Sequence, residues 1–131
     1  MSGGGRWHLD LALGLGLKRV PMVLQTEAAE CGLACLAMVA AAHGHDTDLA
    51  TLRRRFSLSL KGATMADLVR FADQLHFQSR ALRAEIEHLA SLATPCILHW
   101  DLNHFVVLVE VKRGVAVIHD PGRGIRRLKL D

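Results

Sequence analysis

From Ala28 to Ala42 the chain is built of Ala, Leu, Met, Val and Cys with almost no polar interruption. A helix of that composition has no solvated face, so the pattern predicts one buried on nearly every side, ended by Gly44. Thr47 to Phe56 offers a cap followed by Leu49, Leu52 and Phe56 on one face, which predicts a second helix. Thr64 and Asp67 form a capping box with Asp in place of the usual Glu, opening a third helix through Leu75 on Met65, Leu68, Val69, Ala72 and Leu75. Beyond it the period changes. Phe77 to Leu82 alternates weakly and Ile86 to Leu92 reads as a short helix. Ile97 to Trp100, His104 to Val111, Gly114 to His119 and Ile125 to Leu130 then read as strands. Lys112-Arg113-Gly114 and Pro121 to Gly124 supply turns between them. Helices first and an antiparallel sheet second predict an α+β domain. Ahead of it, Met1 to Gly5 reads as disordered, and Trp7 to Leu17 alternates apolar residues with glycine before Lys18, Arg19 and Pro21. The expected division is an N-terminal arm over 1–18, partly disordered, and a domain over 19–131.

Composition narrows the classes. The chain has 131 residues, 50% hydrophobic and 22% charged, enough for one domain with its own core. A net charge of +3 and no interleaving of aromatic with basic residues argue against nucleic acid. No apolar run approaches the ~20 residues of a membrane span. Leu9 to Leu17 resembles a short signal core, but Asp10, the glycines and the missing cleavage site argue against export. The 3 cysteines cannot all pair, and Ala34, Leu36, Pro95 and Ile97 around them read as core, so a reducing compartment is expected.

The chemistry is concentrated in three places. Gln25 precedes Cys31 at the predicted start of the apolar helix, His104 begins one strand and Asp120 ends the next. A thiol nucleophile needs a base, a group that fixes the base's tautomer, and a donor for the oxyanion. Those four residues are one of each. In an antiparallel hairpin His104 and Asp120 lie at the same sheet edge, so the carboxylate can hold one ring nitrogen while the other faces the thiol. A helix N-terminus beside Cys31 is expected to lower the thiol pKa.

The segments Leu24 to Met38, His99 to Leu108 and His119-Asp120-Pro121 with Gly124 resemble the C39 peptidase domain of bacterial peptidase-containing ABC transporters, over roughly Arg19 to Leu130. The resemblance implies a papain-like fold with the active site between the helical half and the sheet. It also implies a cysteine endopeptidase that removes the leader of a bacteriocin- or microcin-type precursor after a Gly-Gly pair. It assigns nucleophile to Cys31, base to His104, orienting acid to Asp120 and oxyanion donor to Gln25. The implied partners are the double-glycine precursor and the transmembrane and nucleotide-binding domains of a parent transporter at the cytoplasmic face of the bacterial inner membrane. This chain would then be an excised domain, and with no Gly-rich phosphate loop it is expected to need no cofactor. Against papain itself, Cys31 to Cys35 departs from the Cys-Gly-Ser/Ala-Cys-Trp/Tyr pattern, and His104 follows sooner than the about 130–150 residues expected there.

Two other functions compete. One is a leader- or cargo-recognition domain that binds without cutting, although this chain keeps Cys31 and Gln25. The other is a metal site using Cys31, Cys35 and a histidine, which lacks a second closely spaced ligand pair. Cys35, one turn beyond Cys31, and Cys96 read as packing. His43, His45, His76, His88, His99 and His119 read as surface or turn residues, and Asp101 is an alternative acid in an awkward position. Glu27 and Glu30 read as electrostatic support for the first helical turn, and Arg53-Arg54-Arg55 as a solvated helix end with transporter or anionic lipid as a lesser reading.

Overall fold

The apolar run folds as α1 (Cys31–Ala42), entered through a single 3-10 turn over Ala28–Glu30. All of α1 except Ala41 is buried, because the sheet, α2 (Leu49–Arg55) and α3 (Met65–Gln74) enclose it. Gly44, at φ 84°, follows its last turn as the pattern predicts. Asp48 caps α2 by accepting the Thr51 N–H at 2.8 Å. The box on α3 closes both ways: Asp67 N–H donates to Thr64 Oγ1 at 3.0 Å, and Thr64 N–H to Asp67 Oδ2 at 2.9 Å. This computed structural model describes residues 6–12 (backbone only), 19–45, 47–100 and 104–130.

The sheet contains β1 (Arg6–Ala12), β2 (Gln78–Ala84), β3 (Cys96–Trp100), β4 (His104–Lys112), β5 (Val115–Asp120) and β6 (Gly124–Lys129). Their order is β2-β1-β3-β4-β5-β6, with every pairing antiparallel. The sequence assigns residues 6–12 to an arm, yet they form a strand between β2 and β3. The rest of the expected arm lies outside the described residues. Ile86 to Ser91 is a 3-10 helix.

Alternation along β3 and β4 divides the core. Ile97, Phe105 and Val107 face α1, whereas Cys96, Leu98, Val106 and Leu108 pack on the other side with Ala116, Ile118 and Leu89. The β4–β5 hairpin turns through Arg113 and Gly114, at φ 53° and 75°. The turn sets Lys112 opposite Val115, an irregularity between Leu108 and Glu110 then shifts the register so that Val107 faces His119, and the first residue of β4 and the last of β5 meet at the far end.

Two glycines bring the loop before α3 and the start of α1 together. A Cβ on Gly62, at φ +88°, would stand 3.1 Å from the Ala29 carbonyl oxygen; one on Gly32 would stand 3.2 Å from Leu68 Cδ2. The leucine can give, but the backbone oxygen cannot. Gly62→Ala should therefore lose roughly 1–2 kcal/mol for its left-handed backbone alone, with the clash added. Urea unfolding measures it, and an unchanged midpoint would contradict the argument.

Candidate active site

Cys31 is the first residue of α1, forms no disulfide and is 7% exposed. Burial pushes its pKa up; the backbone N–H groups of Phe105, Gly32 and Cys31 itself pull it down, and the charge of Asp120 raises it again. The net direction is upward. The helix N-terminus is where the sequence places it, but desolvation outweighs it, which corrects the expectation of a lowered thiol pKa. The head of α1 packs against the start of β4, where a Cβ on Gly32 would stand 3.4 Å from Phe105 Cδ2.

His104 and Asp120 meet there as the strand pattern predicts. His104 Nε2 lies 2.7 Å from Asp120 Oδ1, which also accepts the Gly122 N–H at 2.9 Å. Arg126 Nη1 stands 3.6 Å from Oδ2. Burial works against ionising Asp120, but the His104 hydrogen bond, the Gly122 N–H and the charges of His104 and Arg126 outweigh it and hold the carboxyl below its ordinary value. With Nε2 engaged, Nδ1 of His104 is the ring nitrogen left for chemistry. A cleft of about 350 Å³ opens over this pair, lined by Trp100, His104, Asp120, Gly122, Arg123 and Arg126.

Gln25 reaches the same place by a different route. Its backbone N–H donates to Pro121 O at 2.9 Å, and His119 Nδ1 lies 3.0 Å from Pro21 O, so the chain before α1 is tied to the end of β5 at two points. A Cβ on Gly122 would stand 3.5 Å from Asp120 Oδ1, 3.7 Å from His104 Cε1 and 3.8 Å from Gln25 Oε1. Gly122 therefore marks the convergence of all three. Gln25 Nε2 donates to the carbonyls of Glu27 and Ala28 at 3.2 and 3.4 Å, while Oε1 is buried without a partner.

The structure changes several other assignments. His119 is buried, at 5% exposure, in β5 where the sequence reads a surface or turn residue; His43, read the same way, does lie in the turn that ends α1 but is 7% exposed. Burial lowers the His119 pKa, which favours the neutral ring that donates from Nδ1 to Pro21 O. Its position beside Asp120 was the only signal for it. Cys35 and Cys96 are wholly buried, as packing residues should be. Among the described residues no three His, Cys, Asp or Glu side chains converge as a metal cage. Asp101 lies outside the described residues.

Arg53 is the residue most misread from sequence. It pairs with Glu30, whose carboxylate also accepts from Thr26 Oγ1 at 2.7 Å and from Glu27 N–H at 3.1 Å. Arg53 is the largest influence on Glu30; against the opposing effect of burial, it and the Thr26 and Glu27 donors bring the pKa from 4.5 to about 2. A carboxyl whose pKa falls on folding contributes stability above its unfolded pKa and loses it as pH falls through the folded value. That contribution should therefore disappear between pH 4.5 and about 2, and Glu30→Gln should flatten the pH dependence of the urea midpoint there. An unflattened profile would contradict the pairing.

The Peptidase C39 family model matches residues 19–131. The colicin V secretion/processing ATP-binding protein CvaB of Escherichia coli is 58% identical over 114 residues, covering 87% of this chain and 16% of the relative. The pediocin PA-1 transport/processing ATP-binding protein PedD of Pediococcus acidilactici is 31% identical over 112 residues, with 81% and 16% covered. The chain thus spans 16% of the length of these curated relatives. Among solved structures, a double glycine motif protease from an AMS/PCAT transporter in complex with the leader peptide superposes with a TM-score of 0.80 at 34% identity, covering 92% of this chain and 87% of that one. The peptidase domain of Streptococcus ComA superposes with a TM-score of 0.73 at 28% identity, covering 82% and 84%. The α+β, papain-like fold expected from the sequence is the fold of these domains. No helix among the described residues is long and apolar enough to cross a membrane.

Proposed function

This chain belongs to the peptidase C39 family, and on that premise we propose that it is a cysteine endopeptidase that removes the leader of a bacteriocin- or microcin-type precursor after a Gly-Gly pair. It works joined to the transmembrane and nucleotide-binding domains of an ABC transporter, at the cytoplasmic face of the bacterial inner membrane. The observation that carries the reading is the 2.7 Å contact between His104 Nε2 and Asp120 Oδ1, which leaves Nδ1 for a thiol presented at the start of α1.

Cys31 Sγ attacks the carbonyl carbon of the second glycine while His104 Nδ1 takes the thiol proton. The carbonyl π pair moves to oxygen, where the Cys31 backbone N–H and the Gln25 amide stabilise it. Collapse breaks the C–N bond, and the imidazolium returns its proton to the departing amine. Water, deprotonated by His104, then attacks the thioester carbon; the C–S bond breaks, Cys31 Sγ takes the proton back from His104, and the leader leaves as a free carboxylate. Asp120 holds the ring in the required tautomer throughout and stabilises the imidazolium.

Glycine at both subsites implies selection by a narrow cleft that rejects side chains, with binding energy drawn from remote contacts to an amphipathic leader helix. Thiol and imidazole supply nucleophile and base, so no metal or cofactor takes part. Incubation with a synthetic double-glycine leader peptide and a chelator, read by mass spectrometry, tests this. A single cut after Gly-Gly is expected. Leader binding with no cut would support a recognition domain instead.

A further inference from the structure

Five residues separate the two groups assigned to the oxyanion: Thr26 to Glu30 run between Gln25 and Cys31, and one carboxylate closes that turn. Glu30, with a side chain 5% exposed, accepts on Oε1 from Thr26 Oγ1 at 2.7 Å, Thr26 N–H at 3.3 Å and Glu27 N–H at 3.1 Å. Its outer bonds come from α2. Arg53 Nε donates to Oε2, while Nη2 donates to Oε1 at 3.1 Å and to Thr26 Oγ1 at 2.9 Å. Arg53 is itself 44% exposed and lies outside the core that Leu49, Leu52 and Phe56 build around α1. α2 is therefore packed without it.

We propose that Arg53 is a positioning residue for catalysis, acting through Glu30 and the turn 26–30 to set Gln25 against Cys31. The proposal rests on the peptidase reading. Gln25 Nε2 is bonded to the Glu27 and Ala28 carbonyls of this turn, so a turn freed from α2 carries the amide with it. At the other end Glu30 precedes Cys31 directly. A structural tie of equal strength elsewhere on α2 would leave that geometry untouched.

The test compares wild type, Arg53→Ala, Arg53→Lys, Gln25→Ala and the Arg53→Ala/Gln25→Ala double variant, by cleavage of a synthetic double-glycine peptide and by alkylation of the folded proteins. Arg53→Ala should lower kcat by about 10- to 100-fold, the scale for slight misplacement of reacting groups, with KM little changed. Arg53→Lys should recover part of the loss, and in the Gln25→Ala background the same change should cost far less than it does alone. Alkylation should quicken at Cys31 only, with Cys35 and Cys96 still protected. Wild-type kcat in Arg53→Ala, an undiminished loss in the Gln25→Ala background, or labelling of all three cysteines would overturn the proposal. A wild type that does not cleave, with Arg53→Ala still quickening Cys31 alkylation alone, would bring down the peptidase reading and leave the positioning of the turn standing.

Discussion

Cys31→Ala should abolish cleavage of a double-glycine leader peptide while leaving its binding intact. On the proposed mechanism the thiol at the head of α1 forms the acyl-enzyme, and alanine leaves His104 and Asp120 with no nucleophile to activate. Leader affinity should survive, since it is assigned to contacts remote from the sulfur. Cys35→Ala and Cys96→Ala should keep their activity, because both thiols are wholly buried. Each should instead lose stability on the order of 1 kcal/mol, as small deletions in a packed core do. A thiol alkylator should reach Cys31 before the other two, at a rate that climbs with pH because burial holds its pKa up. Product mass spectra decide the main point: a Cys31→Ala protein that cuts at the wild-type rate would end the peptidase reading.

What the sequence made legible was local. Thr64 and Asp67 cap α3 through bonds between residues three apart, and Arg113-Gly114 turns the β4–β5 hairpin by their own backbone preferences. That hairpin puts His104 and Asp120 at the same end of two neighbouring strands, which the sequence shows; the register shift between Leu108 and Glu110 on the way there has no signal in it. An all-apolar α1 likewise carries its burial in its composition. Long-range pairing was not legible. Residues 6–12 pair with β2 and β3, partners more than sixty residues along the chain, and their glycine-flanked pattern resembles an arm as much as a strand. Arg53 has no signature that separates it from Arg54 and Arg55; only the approach of α2 to the turn 26–30 selects it. The thiol pKa failed for a related reason. The helix terminus that lowers it is local, while the burial that raises it depends on β3 and β4 packing against α1.

Gln25→Ala should lower turnover by about 10²- to 10³-fold, the scale for losing one oxyanion donor, and change leader affinity little. The amide orientation makes the test sharper. In the resting arrangement Nε2 is held by two long bonds to Glu27 O and Ala28 O, and Oε1 lies buried and unpartnered towards Gly122 and His104. Negative charge on the substrate oxygen repels Oε1 and attracts Nε2, so attack favours a rotation in which one N–H exchanges its long bond to the turn for a charge-assisted one while the other keeps the amide tied to the turn. A carboxylate has no donor to turn inward. Gln25→Glu should thus be slower than Gln25→Ala at neutral pH, since it places like charge beside the oxyanion as well as removing the donor. Single-turnover cleavage with saturating peptide separates chemistry from binding. If Gln25→Glu matched wild type in that assay, or if Gln25→Ala weakened binding and spared turnover, Gln25 would be a substrate-recognition residue and the oxyanion would rest on the backbone of Cys31.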